Sequence, residues 1–262
     1  MRLQAMWIYP VKSCRGVAVS SAHLVARGLE HDRRFMVVDE HGVFLSQRTL
    51  PAMATVATAM DAGELFLSRA GIADARVPLS SVDGPRRNVR VWSDELEAVV
   101  HEGGSRFFRA ALGIECSLVH LPDDVERFVT PKHGRPGEQV SFADAYPLLL
   151  LSQASLDELS RRVGSPVEMT RFRPNLVIDG DAPHAEDRIG RLRIGDRVFR
   201  SVKRCDRCSI PAVDPFTGER GVEPTRTLAT YRREEGKVWF GMNLVHEDDG
   251  PLCVGADVEE LD

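Results

Sequence analysis

Short runs of apolar and β-branched residues recur about every ten positions along the chain, and a glycine, a proline or a polar cluster breaks each of them. That punctuation is too close for a bundle of long helices and points to a barrel or sandwich built from many strands. Candidate strands in the first half are residues 3–9, 35–38, 43–47, 54–59, 65–68, 88–92, 96–101 and 117–120. In the second half they are 175–179, 191–194, 197–204, 209–213, 238–240 and 244–246. Asp39-Glu-His-Gly42 reads as a hairpin turn between two of them.

Helical patterns are few. Residues 105–112 predict a short helix ended by Gly113. Residues 155–163 predict another: Ser155 with Glu158 forms a capping box, Leu156, Leu159 and Val163 share a face, and Gly164 follows. A third is expected over 225–233. Residues 132–138, with Gly134, Pro136 and Gly137, read as a surface loop. The expected class is mainly β (α+β), with a boundary at 112–114 dividing residues 1–113 from 114–262.

The totals narrow the function. A chain of 262 residues that is 43% hydrophobic can bury a sizeable core. Its 34 basic and 39 acidic residues leave a net charge of −5, which argues against nucleic acid as partner. No apolar run approaches the roughly 18–20 residues of a membrane helix. The N-terminus reads as a strand rather than a signal peptide. Five cysteines, an odd and sparse set, are expected to stay reduced in a cytoplasmic protein.

The densest chemistry lies in Lys203-Arg-Cys-Asp-Arg-Cys208. Structural zinc would require a second cysteine pair, which the sequence lacks. A thioredoxin-type disulfide needs a helix N-terminus, whereas Pro211 and Pro215 follow closely here. A third reading is a thiolate in a basic setting made by Lys203, Arg204 and Arg207, able to hold a soft metal or attack an electrophile. A fourth is that both cysteines only pack. Elsewhere, Lys12, Ser13 and Arg15 follow the first strand and could cradle a phosphate, although the P-loop pattern is absent. Arg33 and Arg34 suit phosphate or carboxylate, and Asp32 could orient one of them. In Arg171-Phe-Arg-Pro-Asn175 the two arginines are expected on one side of an extended segment, and Asn175 suits a heteroaromatic edge. Phe240-Gly-Met-Asn243 places an amide at a strand junction.

In this order the motifs resemble the MOSC family, the molybdenum-cofactor sulfurase C-terminal domain, together with its N-terminal β-barrel partner. The stretches that carry the resemblance run nearly end to end: Ile8-Tyr-Pro-Val-Lys-Ser-Cys-Arg-Gly-Val17, Asp32-Arg-Arg-Phe-Met-Val-Val38, Ser46-Gln-Arg48, Arg171-Phe-Arg-Pro-Asn175, Glu186-Asp187, Ile194-Gly-Asp196, Cys205-Asp-Arg-Cys208, Val213-Asp-Pro-Phe-Thr-Gly218, Glu223-Pro224, Leu228-Ala-Thr-Tyr-Arg232 and Phe240-Gly-Met-Asn243. Within the family the chain is similar to the amidoxime-reducing components and the bacterial N-hydroxylated-base reductases. The resemblance implies a MOSC β-barrel packed against a smaller β-rich N-terminal domain. It implies a molybdenum cofactor (Mo-molybdopterin) whose metal is held by the second cysteine, Cys208. Lys12, Ser13, Arg33, Arg173 and Asn175 match cofactor-contacting positions, Arg207 sits inside the cysteine motif, and Asp144, one residue before Ala145, could accept hydrogen bonds from the pterin. Ala145-Tyr146 stands where relatives have small hydroxyl residues.

The activity implied is reduction of N-hydroxylated small molecules. No ferredoxin-type cysteine spacing is present, so electrons are expected from a separate donor protein, a ferredoxin or a flavin or haem reductase chain. Two alternatives belong to other classes: a carrier that delivers the cofactor without turnover, and sulfur transfer through a persulfide on Cys208. The latter would lack the pyridoxal-phosphate desulfurase domain that loads the sulfur.

Overall fold

The computed structural model describes residues 1–80, 83–180 and 182–261; Asp262, the end of the expected second division, lies outside them. In the first half the strands are β1 (Leu3–Ile8), β2 (Val17–Val19), β3 (Ser21–Val25), β4 (Gly28–Leu29), β5 (Phe35–Val38), β6 (Ala57–Asp61), β7 (Glu64–Arg69), β8 (Ile72–Pro78), β9 (Arg86–Val91), β10 (Asp94–Val100) and β11 (Ser117–His120). In the second half they are β12 (Leu148–Ser152), β13 (Leu176–Ile178), β14 (Arg191–Ile194), β15 (Arg197–Asp206), β16 (Arg233–Glu234), β17 (Lys237–His246), β18 (Gly250–Cys253) and β19 (Val258–Leu261). The helices are α1 (Glu102–Leu112), α2 (Gln153–Val163) and α3 (Thr225–Tyr231). The molecule is mainly β, as the strand punctuation implies.

Nine strands form the largest sheet, in the order β19-β14-β15-β17-β12-β13-β1-β2, with β16 paired to β17. β5-β11-β10-β9, β18-β3-β4 and β6-β7-β8 form three smaller sheets. Strand pairing crosses between the two halves of the chain: β1 lies against β13, and β3 against β18. β12, Leu-Leu-Leu-Leu-Ser, is buried along its whole length because it is a central strand, parallel to β13 and antiparallel to β17. One core lies on the large sheet, around Met6, Leu150, Leu176, Phe199 and Leu244. Another lies beneath α1, where Phe107 and Phe108 meet Leu65, Leu67 and Leu118.

Five local expectations need correction. Residues 43–47 make only isolated bridges at Val43 and Phe44, because the Ser46 carbonyl closes a turn by accepting from the Thr49 and Leu50 amides. Pro51 opens a 3₁₀ helix, Pro51–Thr55, so the expected strand at 54–59 begins only at Ala57. Residues 209–213 hold the 3₁₀ turn Ile210–Ala212, again around a proline. α2 is capped by Ser152, not Ser155; Glu158 reaches forward to Arg161 and Arg162 rather than back to a cap. The two strands expected at 238–240 and 244–246 are one, β17, which passes through Gly241 at φ +87°, where a Cβ would stand 2.9 Å from the Leu150 carbonyl oxygen.

Strand register positions the site. Met6 pairs with Leu176, Leu176 and Met242 both pair with Leu150, and Arg204 pairs with Met242. The end of β1, the starts of β12 and β13 and the end of β15 therefore lie at one end of the large sheet. The loops that leave them meet there.

Candidate functional site

These loops line an open cleft. Lys12, Ser13, Arg33, Asp144, Arg173, Asn175, Arg207 and Cys208, scattered over almost 200 positions of sequence, all line it. Lys12 and Ser13 come from the segment after β1, and Arg33 from the residues before β5. Asp144 precedes β12, Arg173 and Asn175 precede β13, and Arg207 and Cys208 follow β15. Three of these residues, Ser13, Arg33 and Arg173, have left-handed backbone at φ +68°, +48° and +58°. Strain of this kind is tolerated where surrounding structure fixes a side chain for a purpose.

The cleft is electropositive: Lys12, Arg33, Arg48, Arg173 and Arg207 line it against Asp144 and Asp206. The Lys12 ammonium, 5% exposed, donates to the Phe142 carbonyl at 2.8 Å and to the Asp144 carboxylate. Burial pushes its pKa down to about 8 against the opposing pull of Asp144. Arg48 Nη2 donates to the other Asp144 oxygen at 2.9 Å and faces Cys208. Burial works against the Asp144 charge, but Lys12 and Arg48 outweigh it and hold the carboxyl well below the usual range. Its carboxylate remains half exposed.

Arg33 is fixed by Asp32, whose buried carboxylate also accepts from the Tyr9 amide at 2.8 Å. Burial raises the Asp32 pKa despite that pairing. Arg33 also donates to the Asn175 side-chain oxygen at 3.0 Å and to the Arg173 carbonyl at 3.1 Å. Asn175 is buried; its oxygen takes a second donor, the Leu149 amide, and its amide nitrogen donates to the Trp7 carbonyl. It ties β1, β12 and Arg33 together while lining the cleft. Arg173 donates to the Cys14 carbonyl, and burial beside Arg33 lowers its pKa to about 10. Among the described residues neither Arg173 nor Arg207 has a carboxylate partner, and Arg173 Nη2 and Arg207 Nε are buried without an acceptor.

Both cysteines of the motif are free thiols on the cleft wall. Arg207 Nη1 donates to Cys205 Sγ at 2.9 Å, and its Nη2 to the Phe172 carbonyl at 3.0 Å. Burial raises the Cys205 pKa. Among the described residues no group of three or more His, Cys, Asp or Glu converges as a metal site would.

The basic surroundings of Cys208 differ from the expectation. Lys203 and Arg204 turn away, stacking over Trp239 and pairing with Asp206 and Glu234; of the three nearby cations only Arg207 lines the cleft. Arg173 lines the cleft but Arg171 does not. Met169–Arg171 is a 3₁₀ turn and Arg173 is left-handed, so Arg171 leaves for Asp214 and the Pro211 and Val213 carbonyls. These tertiary partners override the extended preference of a residue before proline. Arg48 is the functional candidate that sequence reasoning left without a role, although Ser46-Gln-Arg48 was its visible signal. Asn243 lines the cleft and donates to the Lys203 carbonyl. No helix among the described residues is long and apolar enough to cross a membrane.

Residues 1–115 match the MOSC N-terminal beta barrel domain, and residues 137–259 match the MOSC domain. The chain is 34% identical over 279 residues to mitochondrial amidoxime-reducing component 1 of Homo sapiens, covering 97% of this chain and 81% of that protein. It is 32% identical over 278 residues to the molybdenum cofactor sulfurase of Oryza sativa subsp. japonica, covering 95% of this chain but only 33% of the sulfurase. Among solved structures, the YUAD protein from Bacillus subtilis aligns with 98% of this chain and 93% of its own at 10% identity and a TM-score of 0.45.

Proposed function

Because the chain belongs to the MOSC family, with both its N-terminal β-barrel domain and its MOSC domain, we propose that the cleft holds a molybdenum cofactor through Cys208 and that the loaded protein reduces N-hydroxylated compounds. The observation that carries this reading is a free thiol set in a wall whose other faces present five cations. The residues fit such a group. A thiolate suits a soft metal, and a surplus of cations, two of them with a buried N–H lacking an acceptor, suits an anionic phosphate tail.

When bound, the cofactor supplies a redox-active metal that can take the oxygen of an N–OH group. Reduction consumes two electrons and two protons per N–O bond broken, and releases an N–H compound and water. Cys208 provides the metal's protein ligand, while Arg207 occupies Cys205. Arg33, Arg173 and Arg207 offset the ligand's negative charge. Asp144 orients Lys12 and Arg48. Lys12, with its pKa near 8, holds a proton at Nζ inside the cleft, in the range useful for acid–base work near neutrality. Phe172, Leu148 and Leu149 supply an apolar wall that limits water.

Electrons come from a separate donor protein. The test is turnover of an aryl amidoxime by protein made in a cofactor-producing host, with a chemical or protein reductant. Turnover that vanishes in Cys208→Ser supports the proposal; a loaded wild type that reduces no N-hydroxylated compound with any donor contradicts it. The alignment with the rice sulfurase favours a second reading, sulfur carried as a persulfide on Cys208. A mass gain of one sulfur atom on that residue, without turnover, would select it.

A further inference from the structure

Tyr9 takes no part in the reading above, yet two of the cleft's arginines meet on it. Its ring is 1% exposed. The Arg33 and Arg173 guanidinium carbons lie over that ring, 4.4 Å and 4.2 Å from its centre. Like charges held this close repel, and the electron-rich faces of an aromatic ring are the surfaces best suited to separate and hold them. The backbone reinforces the arrangement: the Tyr9 amide donates to Asp32, Asp32 accepts from Arg33, and the Arg33 amide donates to the Tyr9 carbonyl at 2.8 Å. One edge of the ring is closed by Gly16, where a Cβ would come within 2.5 Å of Tyr9 Cε1. Both arginines have left-handed backbone. The phenol oxygen, in contrast, is buried and has no hydrogen-bond partner among the described residues.

We infer that Tyr9 is a positioning residue: its aromatic ring, not its hydroxyl, sets the spacing of Arg33 and Arg173 and so prepares the cleft to grip an anion. This rests on the reading of the cleft as an anion site, and deepens it. A hydroxyl that pairs with nothing contributes only its burial cost, so phenylalanine should serve as well. An aliphatic side chain leaves the two guanidinium groups without the surface that holds them apart.

The experiment uses the full chain with inorganic phosphate as probe, in wild type, Tyr9→Phe and Tyr9→Leu. Nuclear magnetic resonance reads the guanidinium Hε signals, assigned by their loss in Arg33→Lys and Arg173→Lys; calorimetry reads phosphate affinity. The expected result is upfield ring-current shifts for both arginines in wild type and Tyr9→Phe, with phosphate affinities within about twofold of each other. Tyr9→Leu should lose the shifts and bind phosphate roughly tenfold more weakly. Unshifted signals in the wild type overturn the inference. So does a Tyr9→Phe variant that loses phosphate affinity, and these two results decide it even where Tyr9→Leu fails to fold. A folded Tyr9→Leu that grips phosphate as wild type does also overturns it, even in a chain that carries molybdenum. Ring-dependent phosphate binding in a chain that never acquires molybdenum upholds it and removes the proposed activity alone.

Discussion

Arg207 donates to the Cys205 sulfur at 2.9 Å, while Cys208 faces Arg48, so each thiol of the CxxC pair has its own cation on the cleft wall. Arg207 has two tasks here, and they separate by mutation. Arg207→Leu removes a cleft cation and should weaken phosphate binding about five- to tenfold. Cys205→Ser keeps an acceptor for Arg207 and should change phosphate affinity by less than about twofold. Titration calorimetry on the two variants distinguishes a shared role from this division.

Lys12 gives the cleft a pH limit. Its folded pKa is near 8, below the ordinary 10.5. Below pH 8 the ammonium is charged and contributes to anion binding; above it that contribution is lost. Phosphate affinity should therefore fall as pH rises through about 8. Stability runs the other way. Between about pH 8 and 10.5 the unfolded chain binds more protons at this lysine than the folded one, so the lysine's share of stability rises with pH across that window. Affinity and thermal midpoint measured on one pH series should show opposite slopes.

Asp144 should set the position of that limit. In Asp144→Asn the Lys12 ammonium loses its counter-ion, and its pKa should drop further below 8. The affinity limb should move to lower pH. Breaking a fully buried pair costs roughly 3–5 kcal/mol, but the Asp144 carboxylate is half exposed, so a loss of about 1–2 kcal/mol is expected. An unshifted limb would mean that another group produces it.

Glu186 should matter to stability and not to the cleft. Its fully buried carboxylate accepts from the Ser152 hydroxyl at 2.9 Å, the Ser155 hydroxyl at 2.7 Å and the Ser152 amide at 3.3 Å, locking the start of α2 to residues 185–187. Glu186→Ala leaves the Ser152 amide and one of the two hydroxyls buried and unpaired, since the hydroxyls can still pair with each other, at a cost of about 2–4 kcal/mol. That corresponds to a midpoint lower by roughly 5–12 °C for a chain of this size. Phosphate affinity of the folded fraction should be unchanged.

The site was legible where its residues sit in short motifs beside strong strands. Lys12 and Ser13 follow β1, Asn175 opens β13 and Cys208 follows β15, and strand register alone carries them to one end of the sheet. Arg48 escaped because its loop is shaped by a local turn at Ser46, and its partner Asp144 is 96 positions away. The orientation of Arg171 against Arg173 escaped for another reason. Alternation predicts sides only on an extended backbone, and Cys14 and Asp214 draw the two arginines apart across a 3₁₀ turn. The cap of α2 was misplaced because Ser155 fits a capping box, while its hydroxyl is taken by Glu186, a residue no local pattern connects to it.

Molybdenum content of the purified chain tests the central claim most directly. Wild type and Cys205→Ser from a host that makes the cofactor should each carry about one molybdenum per chain, and Cys208→Ser should carry almost none. Equal molybdenum in the wild type and Cys208→Ser, or none in a folded wild type from that host, would contradict the assignment of Cys208 as the metal's ligand.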